Sequence, residues 1–442
     1  MKRDVQRGKG PRASFLFPRR LYYGWVVAGA AFFVALTLGE SFWSFGVFFK
    51  PLQQEFGWSR AVTSSVNTLF LLAYAPSAFI MGRLADRYGP RPILYLGGAL
   101  TGLGFLLSSQ VHSLNELRLF NALAGFGAGA TWSVPTATVQ RWFIKRRGLV
   151  LGLVVSGVGV GGTVFPPLTN YLIQAYGWRE TYAILGFIYL FMIAAAGSLM
   201  EHSPESRGLK PYGAEEGQDQ IATKVWRPGE WTARQALTSR AFLLLALTYV
   251  LSMAPVQIVL VHVVPFAVDM EVTPAAAATA LAVIGASSVP GRIVMGSAAD
   301  RLGWMLGLSL ANLGTAVAMV LLLLTHNPWM LYAFSVLYGL GHGARVPMFV
   351  GAVSYFFGTV ALGELIGVLQ GIGTLTSAFG PYLAGFIFDT TQSYFLAFLL
   401  AGLSWVAAGI LALRLKPPRP PTEIEGQPVP VSKVTDSRTA PS

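Results

Sequence analysis

The stretch GASSVPGRIVMGSAADRLG, from Gly285 to Gly303, places an arginine, Arg292, within an apolar segment that is long enough to cross a membrane. The segment then ends in a turn-forming sequence that begins at Gly296. A permanently charged guanidinium is costly at the depth of a bilayer, so it is expected to face a partner, an aqueous cavity or an anion. The stretch therefore predicts a membrane-spanning helix whose Arg292 serves a cavity built by the rest of the chain.

The composition is that of a chain embedded in a lipid bilayer. Of its 442 residues, 53% are hydrophobic and only 12% are charged, whereas a soluble domain carries about 25% charged residues. Apolar runs of about 20 residues, enough to cross a hydrocarbon core of about 30 Å, recur along the chain. We predict an all-α polytopic membrane protein with twelve spans, at residues 22–49, 61–82, 92–109, 116–140, 148–173, 181–200, 239–268, 274–298, 304–324, 329–357, 364–388 and 394–414.

The positively charged residues predict the orientation of these spans. Of the 32 Lys and Arg residues, 26 fall on one side of the predicted membrane, and two lie within spans. The four on the opposite side are Lys50, Arg60, Arg118 and Arg179. Because cytoplasmic loops are enriched in Lys and Arg, both termini are expected in the cytoplasm. This distribution explains the net charge of +12 without a nucleic-acid partner.

An internal repeat divides the chain into two halves. At an offset of 214 residues, the segment from Gly82 to Gly89 matches the segment from Gly296 to Gly303, and three glycines at 125–129 match three at 339–343. Each half has six spans, an even number, so the halves share one orientation and are expected to surround a central cavity. The expected organisation is a cytoplasmic basic N-terminal tail (1–21), an N-terminal half (22–200), a cytoplasmic linker (201–238), a C-terminal half (239–414) and a disordered cytoplasmic tail (415–442).

A turn rich in glycine and arginine follows the second predicted span. It reads GRLADRYGPR from Gly82 to Arg91 and has a partial copy from Gly296 to Gly303. This sequence resembles the signature loop of the major facilitator superfamily, and the chain resembles that family from end to end. The resemblance implies that the loop stabilises one conformation of a transporter. The residues expected to act in conformational switching and gating are Asp86, Arg87, Arg91, Asp300, Arg301 and, at the outer gate, His262.

Five short segments narrow the resemblance to the bacterial monocarboxylate and oxalate–formate transporter branch. They are YGW at 23–25, GVFFKPL at 46–52, FGWSR at 56–60, RWFIKRRGL at 141–149 and HVVPFAVD at 262–269. In that branch, the arginine of span 8 binds the carboxylate of the substrate, and an acidic residue nearby takes a proton. The resemblance implies a secondary transporter of a small carboxylate such as lactate or pyruvate, located in a bacterial inner membrane and working by alternating access.

Two arginines and a tryptophan are candidates for substrate binding. Arg292 matches the arginine of span 8, and its planar fork of donors suits a carboxylate. Arg345 lies near the middle of span 10, where it either supplies a second positive charge to the cavity or pairs with an acid such as Glu40. Trp132 in span 4 is expected either to wall the cavity and limit the size of the substrate or to pack between helices.

Two carboxyl groups are candidates for coupling transport to protons. Glu40 lies well inside span 1 among apolar and aromatic residues, where a charged carboxylate is disfavoured. It is therefore expected either to carry a proton or to balance an arginine. Asp269, at the outer end of span 7, is the second candidate. Animal members of the branch have an aspartate four residues before the span-8 arginine, where this chain has Ser288, so the proton site is expected elsewhere.

The sequence argues against a metal site, a cofactor and enzymatic chemistry. It has no cysteine, and its five histidines are scattered. The run GVGVGG at 157–162 matches a dinucleotide-binding glycine pattern, but it lies in an apolar span with no preceding strand. No phosphate-binding loop is present, so transport is expected to be secondary.

Other functions stay open at this point. A second cation at Arg345 would suit a proton-independent exchanger of a dicarboxylate such as oxalate. A sugar or drug transporter fits less well with an arginine in span 8, and a non-transporting membrane receptor is a more remote alternative. The expected partners are a small carboxylate, a proton and the lipid bilayer, with the protein working as a monomer.

Overall fold

A computed structural model of the chain describes residues 22–214, 231–358 and 361–418, except for the side chains of Arg147, Ala299, Asp300 and Arg301. The expected N-terminal tail and most of the expected C-terminal tail lie outside these residues. The described chain is almost entirely helical. Nine of its helical segments are long and apolar enough to cross a membrane by their length and composition. The predicted all-α membrane architecture is thus confirmed.

The N-terminal half contains spans 1 to 6, of which spans 1 and 4 are each interrupted. The helices are Tyr23–Trp43 and Phe45–Phe56 (span 1), Arg60–Tyr88 (span 2), Pro90–Ser108 (span 3), Leu114–Ala128 and Ala130–Trp142 (span 4), Arg147–Tyr176 (span 5) and Trp178–Leu199 (span 6). Span 1 continues seven residues beyond its predicted end at 49, although Pro51 lies inside its second helix and lacks the N–H group for one backbone hydrogen bond there.

The C-terminal half contains spans 7 to 12, of which spans 7 and 11 are interrupted. The helices are Arg240–Met253 and Val256–Asp269 (span 7), Pro274–Leu302 (span 8), Trp304–Leu323 (span 9), Pro328–Phe357 (span 10), Leu362–Ala378 and Gly380–Thr391 (span 11) and Phe395–Arg414 (span 12). Twelve spans are therefore present in the described chain, as the sequence predicts.

The interruption of span 7 has a local cause and a tertiary consequence. Pro255 has no N–H group, so it cannot continue the hydrogen bonding of the preceding helix. Two carbonyls at the end of that helix accept hydrogen bonds from span 12 instead. The Leu251 carbonyl accepts from the Ser404 hydroxyl at 2.7 Å, and the Ser252 carbonyl accepts from the Trp405 indole at 2.9 Å. The break is thereby satisfied by side chains from a neighbouring span.

The most extensive contacts between the two halves join span 1 with 7, span 2 with 11 and span 5 with 8. Glycines allow the closest of these approaches. A Cβ atom built on Gly285 of span 8 would lie 2.7 Å from the backbone of Gly162 in span 5. One built on Gly385 of span 11 would lie 2.6 Å from the backbone of Arg60 in span 2. Any larger residue at these positions would push the halves apart.

The first part of the predicted linker is packed against the N-terminal half. The Tyr22 hydroxyl, just before span 1, donates to the carbonyls of Trp142 and Lys210 at 3.1 and 2.9 Å. Burial raises the pKa of Tyr22 to about 12, so the hydroxyl keeps its proton at neutral pH. Later in the linker, a short helix over Ala233–Thr238 begins with a capping box formed by Thr232 and Gln235. The described parts of the linker, 201–214 and 231–238, are therefore more ordered than their polar composition suggests.

Candidate functional site

A cavity lies between the two halves. It contains about 760 Å³ of space, including its opening. Three residues of the N-terminal half line it, Trp132, Val155 and Val158. The C-terminal half contributes mostly apolar residues, together with the polar residues Tyr249, Arg292, His342 and Gln370. Among the described residues that line the cavity, Arg292 alone carries a full charge, so the site is built for at most one compensating negative charge.

Arg292 reaches from span 8 to the opposite half. Its Nη1 donates to the carbonyl of Val155 in span 5 at 3.0 Å. Its Nε is buried and has no hydrogen-bond partner among the described residues. Unpartnered buried donors are uncommon in folded proteins, and each one calls for an explanation such as an absent ligand or water. The guanidinium is therefore anchored on one side and has an unused donor on another.

Two further polar pairs lie at the cavity. The Tyr249 hydroxyl donates to Oε1 of Gln370 at 2.6 Å, which orients the Gln370 amide. Nδ1 of His342 lies 3.0 Å from Nη2 of Arg345. Together with Arg292, these pairs place donors from spans 7, 8, 10 and 11 around one space. Trp132, which the sequence suggests as a wall, lines the same cavity as Arg292.

Arg345 lies behind the cavity rather than in it. Its side chain is 0% exposed, and its Nη1 donates to the Ser252 carbonyl at 3.0 Å. Its guanidinium also lies 5.2 Å from the ring centroid of Trp405. Arg345 thus caps the interrupted end of span 7, where the helix dipole favours a positive charge. Its Nε has no partner among the described residues, but the side chain does not line the cavity. This placement argues against the expectation that Arg345 binds substrate, because a fully buried guanidinium has no free path to a ligand.

Glu40 occupies a separate small pocket inside the N-terminal half. Glu40 is 3% exposed, and its carboxylate accepts a hydrogen bond from the Ser41 hydroxyl at 3.1 Å. Ser44 and Asn67 line the same pocket, and each has a buried polar atom without a partner in the described chain. None of the ion pairs within the described residues includes Glu40. The expected alternative of a Glu40–Arg345 pair is therefore not formed.

The ends of the halves that are predicted to face outward, called the outer ends below, are joined by ion pairs. Asp269 of span 7 pairs with Lys50 of span 1 and, at 2.5 Å, with Arg60 of span 2. Asp389 of span 11 accepts hydrogen bonds at 2.9 Å from the backbone N–H groups of Arg60 and Ala61. Each of these bonds crosses from one half to the other. The described contacts therefore close the cavity toward the outer side.

His262 sits inside this outer contact and is 0% exposed. Its Nε2 lies 2.8 Å from the carbonyl of Pro381, which can only accept, so Nε2 carries the ring proton. Its Nδ1 therefore accepts from the Tyr394 hydroxyl at 2.9 Å, and that oxygen accepts from Arg60 at 2.5 Å. Ser64 of span 2 lies 3.2 Å from Nε2. His262 thus links spans 2, 7, 11 and 12, as a gate residue would.

The opposite end, which is predicted to face the cytoplasm, carries a second group of contacts within the N-terminal half and the start of the linker. Asp86 of the signature turn pairs with Arg141 at the end of span 4. Arg141 also lies 3.0 Å from a ring nitrogen of His202. Burial, and next the charge of Arg141, lower the pKa of His202, so this ring is neutral at neutral pH. Arg91 pairs with Glu201 at 2.9 Å and so fastens the linker to the turn.

The other expected switch residues are less informative. The Arg87 guanidinium lies over the ring of Tyr88, 5.2 Å from its centroid. The side chains of Asp300 and Arg301 lie outside the described residues, so their expected role stays a prediction.

Sequence reasoning missed the partners of the outer contact. Lys50 and Arg60 were counted only as two of the four outer cations, and Asp389 and Tyr394 were not singled out. A signal was present, because a membrane protein with few outer charges is expected to pair them. That signal does not say which charges meet, since Arg60 and Asp389 are 329 residues apart.

Comparisons with known proteins agree with this architecture. A family model described as the Major Facilitator Superfamily matches residues 31–311 and 298–440. Monocarboxylate transporter 11 of Homo sapiens is 29% identical over 395 residues, which cover 86% of this chain and 80% of that protein. Monocarboxylate transporter 13 of Bos taurus is 29% identical over 393 residues, which cover 88% of each chain. These relatives are animal proteins, so the expected placement in a bacterial branch stays a prediction.

Two solved structures have a similar fold. One is a bacterial homolog of the human lysosomal transporter Spinster in an inward-facing, unoccupied conformation, with a TM-score of 0.68 and 16% identity over 90% of this chain and 96% of that one. The other is the Escherichia coli xylose transporter XylE in a partially occluded inward open conformation, with a TM-score of 0.71 and 13% identity over 92% of this chain and 100% of that one. The likeness concerns the fold alone.

The family model covers most of the chain, and the twelve spans surround a cavity between two halves. The chain therefore belongs to the major facilitator superfamily and is a membrane transporter, not an enzyme.

Proposed function

We propose that this protein transports small monocarboxylates, such as lactate or pyruvate, and that Arg292 binds their carboxylate. The observation that carries the proposal is the state of Arg292 in the cavity. It is the one charged residue among the described lining residues, and its Nε is buried without a partner. A carboxylate is the natural acceptor for such a group.

The chemistry of the guanidinium supports this assignment. The hydrogen bond from Nη1 to the Val155 carbonyl orients the plane of the side chain. The edge that carries Nε and Nη2 can then form two parallel hydrogen bonds to one carboxylate, which are stronger than neutral ones. Because that carboxylate would contact a residue that also touches the opposite half, binding would directly affect the contact between the halves. This is the coupling that alternating access requires.

The charge of the cavity supports a monoanion over a dianion. A dicarboxylate such as oxalate needs two compensating positive charges in a desolvated site. Arg345, which lies near the middle of span 10, is packed against the break in span 7 and does not line the cavity. The similarity to proteins named monocarboxylate transporters also supports a substrate with a single carboxylate.

We assign proton coupling to Glu40 and gating to Asp269. An isolated carboxylate inside a membrane protein is costly, so Glu40 needs a proton or a bound cation in this conformation. Asp269 already has two cationic partners, Lys50 and Arg60, in the outer contact. A protonated Asp269 would lose both ion pairs and loosen the gate, which fits a lock better than a proton carrier.

The test is uptake of labelled lactate and, in parallel, labelled oxalate into liposomes that contain the purified protein. Each is measured with and without an inward proton gradient, for the wild type, Arg292→Ala and the control Arg118→Ala. The control removes an arginine that does not line the cavity and whose Nε donates a hydrogen bond to the Ser65 hydroxyl at 2.8 Å. We expect lactate uptake driven by the gradient, reduced about 100-fold by Arg292→Ala and retained in the control.

Two outcomes would contradict the proposal. Wild-type activity in Arg292→Ala would remove the assigned carboxylate site. Oxalate uptake that ignores the gradient and requires internal anion would instead identify a proton-independent exchanger.

A further inference from the structure

His342 is a polar residue of the cavity that the proposed function does not use. It lines the same space as Arg292, and its Nδ1 lies 3.0 Å from Nη2 of Arg345. A guanidinium has donors and no acceptor, so Nδ1 must be the accepting, unprotonated nitrogen of the ring. The ring proton of neutral His342 is then on Nε2. Arg345 therefore determines the tautomer of a residue in the cavity.

We propose that His342, fixed by Arg345 as the Nε2–H tautomer, donates a hydrogen bond to an oxygen on the carbon next to the substrate carboxylate. This inference rests on the proposed function, since it assumes a carboxylate on Arg292. It names a narrower substrate class, the monocarboxylates with a hydroxyl or keto oxygen at C2. His342 is in this view a specificity-determining residue, and Arg345 is the positioning residue behind it.

Arg345 is rigidly held, so it can impose this tautomer. Its Nη1 donates to the Ser252 carbonyl at 3.0 Å, and the Trp405 indole donates to the same carbonyl at 2.9 Å. The Ser252 hydroxyl in turn donates to Asn312 of span 9 at 2.6 Å. The side chain of Arg345 is completely buried in this arrangement. A substrate cannot displace it without breaking the packing of spans 7, 9 and 12.

The imidazole ring is also held in place. The Tyr338 ring is nearly parallel to it, with an interplanar angle of 7° and a centroid distance of 6.0 Å. The Trp43 ring of the N-terminal half meets it edge-on at 5.8 Å. A ring fixed on two sides, with one nitrogen bonded from behind, presents its remaining N–H in a defined direction. Fixed donors of this kind discriminate between ligands because they cannot reorient to other partners.

Spans 8 and 10 bring His342 and Arg292 close together. A Cβ atom built on Gly343 would lie 1.9 Å from the Ser288 carbonyl oxygen, and one built on Gly291 would lie 2.3 Å from the Leu340 carbonyl oxygen. The two helices therefore touch backbone to backbone. Arg292 directly follows Gly291, and His342 directly precedes Gly343, so both residues flank this crossing. A molecule of a few heavy atoms that binds Arg292 is thus within reach of the neighbouring residue.

The donor should select against substrates that offer it no oxygen. A site built to hydrogen-bond a polar group rejects analogues that lack the group, because its own donor is then left unpaired. Propionate has the size of lactate and pyruvate but has no oxygen at C2. With a net contribution typical of one hydrogen bond, we expect a preference for lactate and pyruvate over propionate of roughly fivefold to tenfold.

The test is the ratio of kcat/KM for pyruvate to that for propionate in proteoliposomes. It is measured for the wild type, His342→Leu, His342→Gln and the control His326→Leu, which changes a histidine in the exposed turn after span 9. We expect His342→Leu to lower the ratio roughly fivefold by weakening pyruvate transport. His342→Gln, whose amide can accept from Arg345 and donate to substrate, should keep part of the preference, and the control should keep all of it.

A purely structural role for His342 predicts a different result, because both substrates would then lose activity equally. That result, or an unchanged ratio in His342→Leu, would overturn the inference while leaving monocarboxylate transport intact. Failure of the proposed function would give a different result. Either the wild type would transport neither substrate, or Arg292→Ala would transport both substrates at the wild-type rate.

A second measurement uses the unmodified sequence and does not depend on a variant that transports. In protein labelled with ¹⁵N-histidine, NMR distinguishes the Nε2–H tautomer from the Nδ1–H tautomer and from the doubly protonated ring. His342 is identified by the signals that His342→Gln lacks. We expect an Nε2–H ring whose Nε2 signal shifts with pyruvate and much less with propionate. A ring protonated on Nδ1, or equal shifts with both acids, would overturn the inference.

Discussion

At the scale of single residues, two arginines in neighbouring spans have different surroundings and different expected roles. Arg292 and Arg345 are both arginines within predicted membrane helices, and both are candidates for binding an anion when only the sequence is considered. In the structure, each of the two has a buried Nε without a partner among the described residues, but Arg292 lines the cavity, whereas Arg345 is fully buried behind it on the Ser252 carbonyl. The difference lies in the neighbours of each guanidinium. A charged residue in a membrane helix is therefore expected to be important, but its presence alone does not identify its role.

Glu40 provides a residue-scale prediction about energy coupling. Glu40→Gln keeps the shape of the side chain and its hydrogen bond with Ser41, but it cannot gain or lose a proton. If Glu40 carries the coupled proton, the variant should no longer accumulate lactate in response to a proton gradient, and the steady-state ratio of internal to external lactate should fall to about 1. Exchange of labelled for unlabelled lactate should continue, because that process needs no net proton movement.

The control for this prediction is Glu55→Gln. Glu55 is a carboxylate at the outer end of span 1 that pairs with Arg179, and it does not line the Glu40 pocket. Gradient-driven accumulation should survive in this variant. Accumulation that also survives in Glu40→Gln would mean that another group carries the proton.

At the scale of elements, the crossing of spans 8 and 10 sets the geometry of the cavity. Small residues at Gly291, Gly339 and Gly343 let the two backbones touch, and no side chain separates them. The crossing lies between Arg292 on one helix and His342 on the other. Their relative positions are therefore controlled by glycines that contact no ligand themselves.

Gly343→Ala should test this crossing. The added Cβ would lie 1.9 Å from the backbone carbonyl of Ser288, which cannot move aside as a flexible side chain would. Overpacking of this kind typically costs about 1–3 kcal/mol, so we expect a lower thermal unfolding temperature in detergent and a higher KM for lactate. The measurement combines thermal unfolding with uptake kinetics.

Gly314→Ala is the matched control, because it lies within span 9 and a Cβ atom there meets nothing within 4 Å. Alanine in a helix interior is favoured over glycine by about 0.5–1 kcal/mol, so this variant should be as stable as the wild type or slightly more stable. Equal unfolding temperatures and equal KM values for the two variants would show that spans 8 and 10 are less closely packed than described.

At the scale of the whole molecule, the described polar contacts between the halves include a group at the outer end. Ion pairs and hydrogen bonds join the halves at the outer end through Asp269, Asp389 and His262. At the end predicted to face the cytoplasm, the ion pairs of the described residues lie within the N-terminal half and the start of the linker, and the side chains of Asp300 and Arg301 are not described. The outer contacts are those expected for a transporter whose outer entrance is closed, and breaking the outer pairs should favour the opposite conformation.

Asp269→Asn should open the outer end. The chain contains no cysteine, so a single introduced cysteine gives labelling without background. Ser64→Cys places the thiol in the outer contact, at a residue that is 0% exposed. We expect a maleimide reagent added from outside to label this position several-fold faster when Asp269→Asn is also present, because removal of the carboxylate charge breaks both ion pairs.

Ser206→Cys, in the exposed start of the linker, serves as the control position. Its labelling in detergent should not depend on Asp269→Asn. An equal increase at both positions would indicate general loosening of the protein, and no change at Ser64→Cys would show that the ion pairs of Asp269 do not hold the gate.

Much of the fold could be predicted because it depends on local properties of the chain. Hydropathy over about 20 residues identifies the spans, and the distribution of Lys and Arg predicts their orientation. The repeat at an offset of 214 residues predicts two similar halves. The placement of Arg292 in span 8 followed from the same information together with the family resemblance. None of these inferences requires knowledge of which helices touch.

The roles of the remaining residues were decided by the tertiary structure. Whether Arg345 meets Glu40, the substrate or the Ser252 carbonyl depends on how span 10 is rotated about its axis where it packs against spans 1 and 7. Hydropathy carries no information about the rotation of a helix. The gate depends on Arg60 meeting groups 209 and 329 residues away. The sequence by itself thus determined what is in the membrane, and it predicts which way the chain runs. Only the packing of the helices decided which charges are paired, which are free, and which of them face the cavity.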